Sequence, residues 1–155
     1  MFDTVVVATD GSESVKRAVD VALDLADRFD ADIHALSVVD ASEVDASPQQ
    51  LRDELRTALE TTADAALATV EDRADKDVEI TTAVREGRPA AEICEYARDI
   101  DADLVATGTR GRHGENRLLL GSVAERIVRT SPVPVLSVRQ LDPMADDEAD
   151  DAPAQ

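Results

Sequence analysis

The sequence predicts an α/β protein, a three-layer α/β/α sandwich built on one five-stranded parallel sheet. Short apolar runs alternate along the chain with longer segments whose apolar residues recur at helical spacing. There are five of the first kind and four of the second, and each link between successive strands carries a helix. Such links join parallel strands, and right-handed crossovers cover both faces of the sheet. A length of 155 residues suits about one domain. Its core must be aliphatic, because 43% of the residues are hydrophobic but only 2% are aromatic.

TVVVA (4–8) is a continuous apolar run that ends in TDGS, which reads as a buried strand followed by a turn. Val15, Ala18, Val19, Ala22, Leu25, Ala26 and Phe29 then form one face of a helix, with Lys16, Arg17, Asp20, Asp24 and Asp27 on the other. ADIHALSVV (31–39) is the second strand. SPQQ (47–50) has the form of a helix start, with Ser47 at the N-cap, Pro48 at N1 and Gln50 as capping-box partner. Leu51, Leu55, Ala58, Leu59, Ala66, Leu67 and Val70 supply that helix's stripe. VEITTAV (78–84) is the third strand, and EGRP turns into a helix carrying Ala90, Ile93, Cys94 and Ala97. DLVAT (103–107) is the fourth strand. A glycine-rich loop and a helix with Val123, Ala124, Ile127 and Val128 follow, and PVPVLSV (132–138) closes the sheet. Pro134 within that last run implies an edge position, where a missing N–H costs no ladder bond. From Leu141 on the chain is acidic and lacks an apolar period. A folded domain over 1–140 and a disordered tail over 141–155 are therefore expected.

In a doubly wound sheet, ligands sit beyond the carboxyl ends of the strands, where neighbouring crossovers diverge. Two loops qualify, ATDGS (8–12) after the first strand and GTRGRHGENRLLLGS (108–122) after the fourth. The second holds four of the chain's six glycines and three arginines, in a protein of formal net charge −18. Glycines let backbone N–H groups approach a ligand, and the helix that begins near Gly121 offers unpaired N–H groups and a positive dipole end. The combination is an anion cradle for phosphates, with Arg110, Arg112 and Arg117 offsetting the negative field. No GK[ST] occurs, so it is not a P-loop, and the GxGxxG dinucleotide fingerprint is missing as well.

Gly108, Gly111, Gly121 and Ser122 stand in the spacing G-x2-G-x9-G-[ST], followed by VAERIVRTSPVPVLSV. This resembles the nucleotide motif and C-terminal signature of the universal stress proteins, and the likeness extends from Phe2 to about Val138 through VVVATDGS and EGRPA. The resemblance implies a Rossmann-like sheet of order 3-2-1-4-5, a homodimer, and membership of the branch that binds ATP with Mg²⁺ or Mn²⁺. It implies that Thr9 and Asp10 face the nucleotide after Ala8, with Asp10 near the ribose or a phosphate-bound metal ion. By the same resemblance Val38 offers backbone contacts to adenine, and Gly108, next to Thr107, packs against the ribose. Gly111, Gly121, Ser122 and Val123 then serve the phosphates. Arg110 and Arg112 are added from charge alone. The family gives no residue a settled catalytic role, so a nucleotide-dependent regulator with little or no hydrolysis is expected. A slow ATPase or adenylate-transferring enzyme, and a nucleotide-free dimeric interaction module, are the alternatives.

Asp10 could instead only cap the first helix, and Ser122 could be a plain N-cap. His34 and His113 lack neighbours at metal-ligand spacing and are read as structural. Cys94, the only cysteine, falls on an apolar helix stripe and reads as a buried inert thiol, and Tyr96 as partly exposed. Val133, Val135, Leu136 and Val138 make a sticky last strand that pairing across a two-fold axis would cover. The acidic balance, 34 acidic against 16 basic residues with only two lysines, repels nucleic acid and anionic lipid. It suits a salt-adapted cytoplasm, where the Debye length falls to about 3 Å at molar salt; an ordinary acidic protein is the other reading. The N-terminus lacks a signal-peptide pattern and no apolar run approaches a membrane span, so a cytoplasmic location is expected.

Overall fold

The computed structural model describes residues 2–110 and 120–141. Its strands are β1 (Thr4–Ala8), β2 (Asp32–Asp40), β3 (Ile80–Gly87), β4 (Leu104–Gly108) and β5 (Val135–Val138). The helices are α1 (Lys16–Phe29), α2 (Ala41–Asp45), α3 (Arg52–Arg73), α4 (Pro89–Asp99) and α5 (Ser122–Thr130). All four strand pairings are parallel and the order is β3-β2-β1-β4-β5, as expected.

Alternation along β1 divides the core. Val5 and Val7 face one side, where they pack with Ala18, Ala22 and Ala26 of α1 and Leu67 and Val70 of α3. Val6 and Ala8 face the other, against Ile93 and Ala97 of α4 and Ile127 of α5. A strand buried on both faces needs no polar alternation, which is why TVVVA is uniformly apolar. Small residues on α1 and α4 let both helices lie close to the sheet without aromatic filler. Asp30 and Asp101, both at φ 52°, end α1 and α4 in the left-handed conformation that Asp tolerates better than most residues. Arg73 reaches from α3 to Asp20 of α1 through two hydrogen bonds of 2.8 and 2.6 Å. Gln140 closes the fold: its Oε1 accepts from the Arg17 N–H at 3.0 Å, while the Arg17 guanidinium donates to Arg139 O at 2.9 Å.

Several elements differ from the sequence expectation. The SPQQ capping box does not form. Asp40 caps the extra helix α2 instead, accepting from the Ser42 N–H at 2.9 Å and the Ser42 hydroxyl at 2.6 Å. Ser47 Oγ consequently turns back to Glu43 O, and a single 3-10 turn at Gln49–Leu51 leads into α3. Leu51 and Ala58 are exposed, and the buried residues of α3 begin only at Ala63. β3 starts later and runs on to Gly87, since β2 offers ladder partners as far as Asp40, opposite Gly87. β5 begins only at Val135. Pro134 precedes it, yet its carbonyl still accepts from the Val105 N–H at 3.0 Å, and β5 is an edge strand. Phe29 is 49% exposed and meets Phe2 edge to face. The expected tail lies, apart from Leu141, outside the described residues.

Candidate functional site

α1 and α3 cover one face of the sheet, α4 and α5 the other. The chain therefore leaves β1 toward one face and its neighbour β4 toward the opposite face. Between the two departing loops the backbone cannot close, and a cleft opens at the carboxyl ends of the strands. Its volume is about 670 Å³, within the range of small-ligand sites. Ala8, Thr9 and Asp10 line it from the first loop, Thr107, Gly108 and Arg110 from the second, and Val38 from β2. Gly121, Ser122 and Val123 come from the start of α5. The expected site residues Gly111 and Arg112, with Arg117 and His113, lie outside the described residues.

The first loop is folded by its own side chains. Thr9 N–H extends the sheet ladder to Leu36 O at 2.9 Å, Thr9 Oγ1 accepts from the Gly11 N–H at 3.1 Å, and Asp10 Oδ1 accepts from the Ser12 N–H at 2.9 Å. These short side-chain turns are ones Thr and Asp make readily. Asp10 thus fixes the loop, while Ser12 stands at the N-cap of the short 3-10 turn Glu13–Val15 that precedes α1. Gly11 completes the turn at φ 75°, with a Cβ position only 3.0 Å from Ala66 Cβ of α3. Gly108 is also crowded: its Cβ would stand 3.0 Å from the backbone oxygen of Ser14, so a side chain there would press the two segments apart.

Gly121, not Ser122, is the N-cap of α5, and no side chain caps the helix. The Gly121 N–H donates to Thr109 O at 2.6 Å, and the Glu125 N–H makes the first intrahelical bond, to Gly121 O. The N–H groups of Ser122, Val123 and Ala124 therefore have no acceptor within the helix, and this end of α5 opens into the cleft. Beside it stands Arg110, whose Nε is shut off from solvent with no hydrogen-bond partner. The far wall was not anticipated from the sequence. Asp40 and Glu43 come from α2 and its cap, and Leu59, Thr62 and Ala63 from the middle of α3. The capping pattern Asp40-x-x-Glu43 signals α2, and Leu59 belongs to the α3 stripe.

Away from the cleft, Tyr96 is buried rather than partly exposed, and it is the partner of His34, with 2.8 Å between the hydroxyl and Nδ1. Arg85 stacks over its ring, 5.2 Å from the centroid. Burial pushes the Tyr96 phenol above its ordinary value, and the nearby Arg85 charge opposes the rise. Cys94 is buried, with Sγ 3.6 Å from Thr130 Oγ1. Among the described residues, no group of three or more His, Cys, Asp or Glu is placed to hold a metal ion, and no helix is long and apolar enough to cross a membrane.

Comparison with known proteins agrees with this architecture. The sequence profile of the universal stress protein family matches residues 1–139. A universal stress protein of Methanocaldococcus jannaschii is 39% identical over 142 residues, which is 90% of this chain and 84% of the relative. Among solved structures, universal stress protein UspA from Lactobacillus plantarum superposes with a TM-score of 0.73 at 25% identity, over 89% of this chain and 98% of that one. A universal stress protein crystallised in complex with cAMP does so with a TM-score of 0.67 at 30% identity, over 90% and 98%. Sheet order, glycine spacing and these matches together place the chain in the universal stress protein family.

Proposed function

We propose that the cleft binds an adenine nucleotide, ATP with Mg²⁺ or Mn²⁺, and that the protein acts as a nucleotide-dependent regulator. The observation that carries this reading is the uncapped start of α5, where three N–H groups without helical acceptors open into a cleft of ligand size at the sheet's switch point. The relative solved with cAMP, at 30% identity, supports the adenine nucleotide class. The phosphates take the N–H groups of Ser122 and Val123 and the Ser122 hydroxyl, with Gly121 at the approach. The ribose lies by Gly108 and Thr107, and the base lies along Val38 between β2 and α3, beside Leu59 and Ala63. The donor set suits a metal carried in by the nucleotide, since Mg²⁺ is usually held by one or two carboxylates plus phosphate oxygens and waters. Asp10 would supply one such carboxylate, and the metal would offset the negative charge of the phosphates.

Regulation rather than turnover is proposed because phosphoryl transfer needs a residue that positions the attacking group. Among the described residues, each of the three cleft carboxylates already has a partner: Asp40 caps α2, Asp10 holds Ser12, and Glu43 is engaged as well. Homodimerisation through β5 belongs to the same proposal. Val133, Val135 and Leu136 are half-buried in the single chain, whereas Val138 is buried within it and adds nothing to the edge. A cytoplasmic location and a domain boundary near residue 140 are proposed with it. The test is mass spectrometry of a denatured extract for co-purified nucleotide, followed by calorimetric titration of the emptied protein with ATP, AMP and cAMP, with and without Mg²⁺. Saturable binding of an adenine nucleotide is expected. An empty protein that ignores all three would leave the interaction module as the reading.

A further inference from the structure

Edge strands usually carry a proline, a lysine, a bulge or a cover that keeps them from pairing with another chain. β5, one edge of this sheet, has four residues and follows Pro134. β3, the other edge, has eight residues, none of them proline or lysine, and pairs one to one with β2 from Ile80 to Gly87 without a bulge. Among the described residues no strand pairs with its outer side. The Ile33 N–H donates to Glu79 O at 2.9 Å, and in a parallel ladder this register turns the backbone groups of Thr81, Ala83 and Arg85 toward β2. Those of Ile80, Thr82, Val84 and Glu86 therefore point outward, where they can continue the sheet. Thr81, Thr82 and Arg85 are exposed along this strand, and so is Val84, at 37%.

Charge selects what can pair there. Most of the surface of a chain with net charge −18 repels a second copy. On β3, however, Glu86 is already offset by Arg56 of α3, which donates from Nε to Oε1 at 3.1 Å. Glu79, just before the strand, and Arg85, near its end, are exposed, and neither takes part in an ion pair among the described residues. Arg85 lies over the Tyr96 ring. A two-fold axis through Thr82 would set two β3 strands antiparallel, with Thr82 opposite its own copy in a hydrogen-bonded pair. In that register Val84 stands opposite Ile80 and Arg85 opposite Glu79, each twice. Apolar then meets apolar and cation meets anion, so the edge is complementary to itself. We propose that β3 is a self-association edge, at which a second copy of this chain pairs antiparallel about Thr82. Such pairing goes beyond the nucleotide site and does not depend on it. One pair of strands buries little area, which puts the contact in the weak, transient class and its onset at about 100 µM protein. Dilute protein would show only the assembly made by β5.

The test is sedimentation equilibrium of wild type, Glu79→Arg, Arg85→Glu and the double variant in about 1 M KCl, where net repulsion reaches only about 3 Å. The wild-type mass should double as the protein is concentrated. Each single reversal sets like charges opposite one another at two places and should weaken the association by about tenfold. The double variant, and an equimolar mixture of the two singles, should restore it, which no misfolded variant could do. Glu79→Arg also makes the chain less acidic, so stronger association in that variant would mean that net repulsion alone governs and would overturn the proposal. Mild oxidation of Thr82→Cys should cross-link two chains, because hydrogen-bonded antiparallel partners have Cα atoms about 5.5 Å apart, within disulfide range. Thr81→Cys, on the other face and opposite Ala83, should not cross-link. A mass unchanged by concentration, with no Thr82→Cys cross-link, overturns the proposal and leaves β5 pairing and the nucleotide site as they stand. A wild type that is monomeric when dilute yet cross-links through Thr82→Cys would support β3 and count against β5.

Discussion

Gly11 has a backbone that suits no side chain: φ is 75°, and Ala66 Cβ lies 3.0 Å from where its own Cβ would be. Gly11→Ala combines left-handed strain with a tight contact and should destabilise by about 1–3 kcal/mol, measured as a lower urea midpoint at unchanged m. Asp10 holds the same loop and, in the proposed site, the metal, and these duties separate in Asp10→Asn. The amide oxygen still accepts from the Ser12 N–H, so the melting point should stay within a few degrees, but the gain in ATP affinity on adding Mg²⁺ should shrink about tenfold. Unchanged Mg²⁺ dependence would leave Asp10 with loop folding alone. At Tyr96 the phenol's raised value means that the folded state holds its proton to higher pH than the unfolded state does. Its contribution is thus fully present below pH 10 and lost as pH rises beyond it. Tyr96→Phe should flatten the alkaline fall in stability followed by circular dichroism. At neutral pH it should cost about 1–3 kcal/mol, because His34 loses its partner.

At the scale of elements, α5 is attached by few anchors. Ala124 and Ile127 are its buried residues, and Ile127 is fully enclosed against the β1 and β4 face. Ile127→Ala should cost about 2–5 kcal/mol and, by loosening the helix start that opens into the cleft, reduce nucleotide affinity as well. A variant that loses stability but binds ATP like wild type at low temperature would show that α5 is positioned by its loop instead. β1 and α1 were legible in the sequence because each has one strong period: TVVVA is apolar on both faces, and Ala18, Ala22 and Ala26 repeat every fourth residue. β3 was read too short, as Arg85 and Glu86 look like turn residues; backbone pairing to Val38 and Val39 carries them into the strand regardless of side chain. The SPQQ signal was real chemistry in the wrong competition. Asp40 and Ser42 cap a helix seven residues earlier, and Ser47 was then used to close it. The places of the two loops, after β1 and after β4, were legible from the strand pattern. The α3 wall was not, because Leu59, Thr62 and Ala63 meet the cleft through tertiary packing that no local pattern encodes.

For the molecule as a whole, a charge of −18 on 155 residues means that folding compresses like charges. Cross-links such as Arg73 to Asp20 and Arg56 to Glu86, at 2.6 and 3.1 Å, are partly exposed and lose strength in salt. Relief of the net repulsion should outweigh their loss, so the melting temperature should rise as KCl goes from about 0.1 to 2 M, where screening shortens to a few ångströms. A flat or falling melting point in differential scanning calorimetry would mark an ordinary acidic protein. Light scattering in high salt should give twice the monomer mass if the β5 edge is paired. The sheet order also has a consequence in time. β1 is the central strand and the first synthesised, but its partner β4 begins only at Leu104, with registers such as Val5 opposite Leu104. During translation one side of β1 must therefore wait, unzipped, while about a hundred residues emerge, and such long-range pairing makes for slow closure. Early truncation should accordingly yield sticky fragments, and the chain's heavy acidity would keep neighbouring nascent copies apart until the last third arrives.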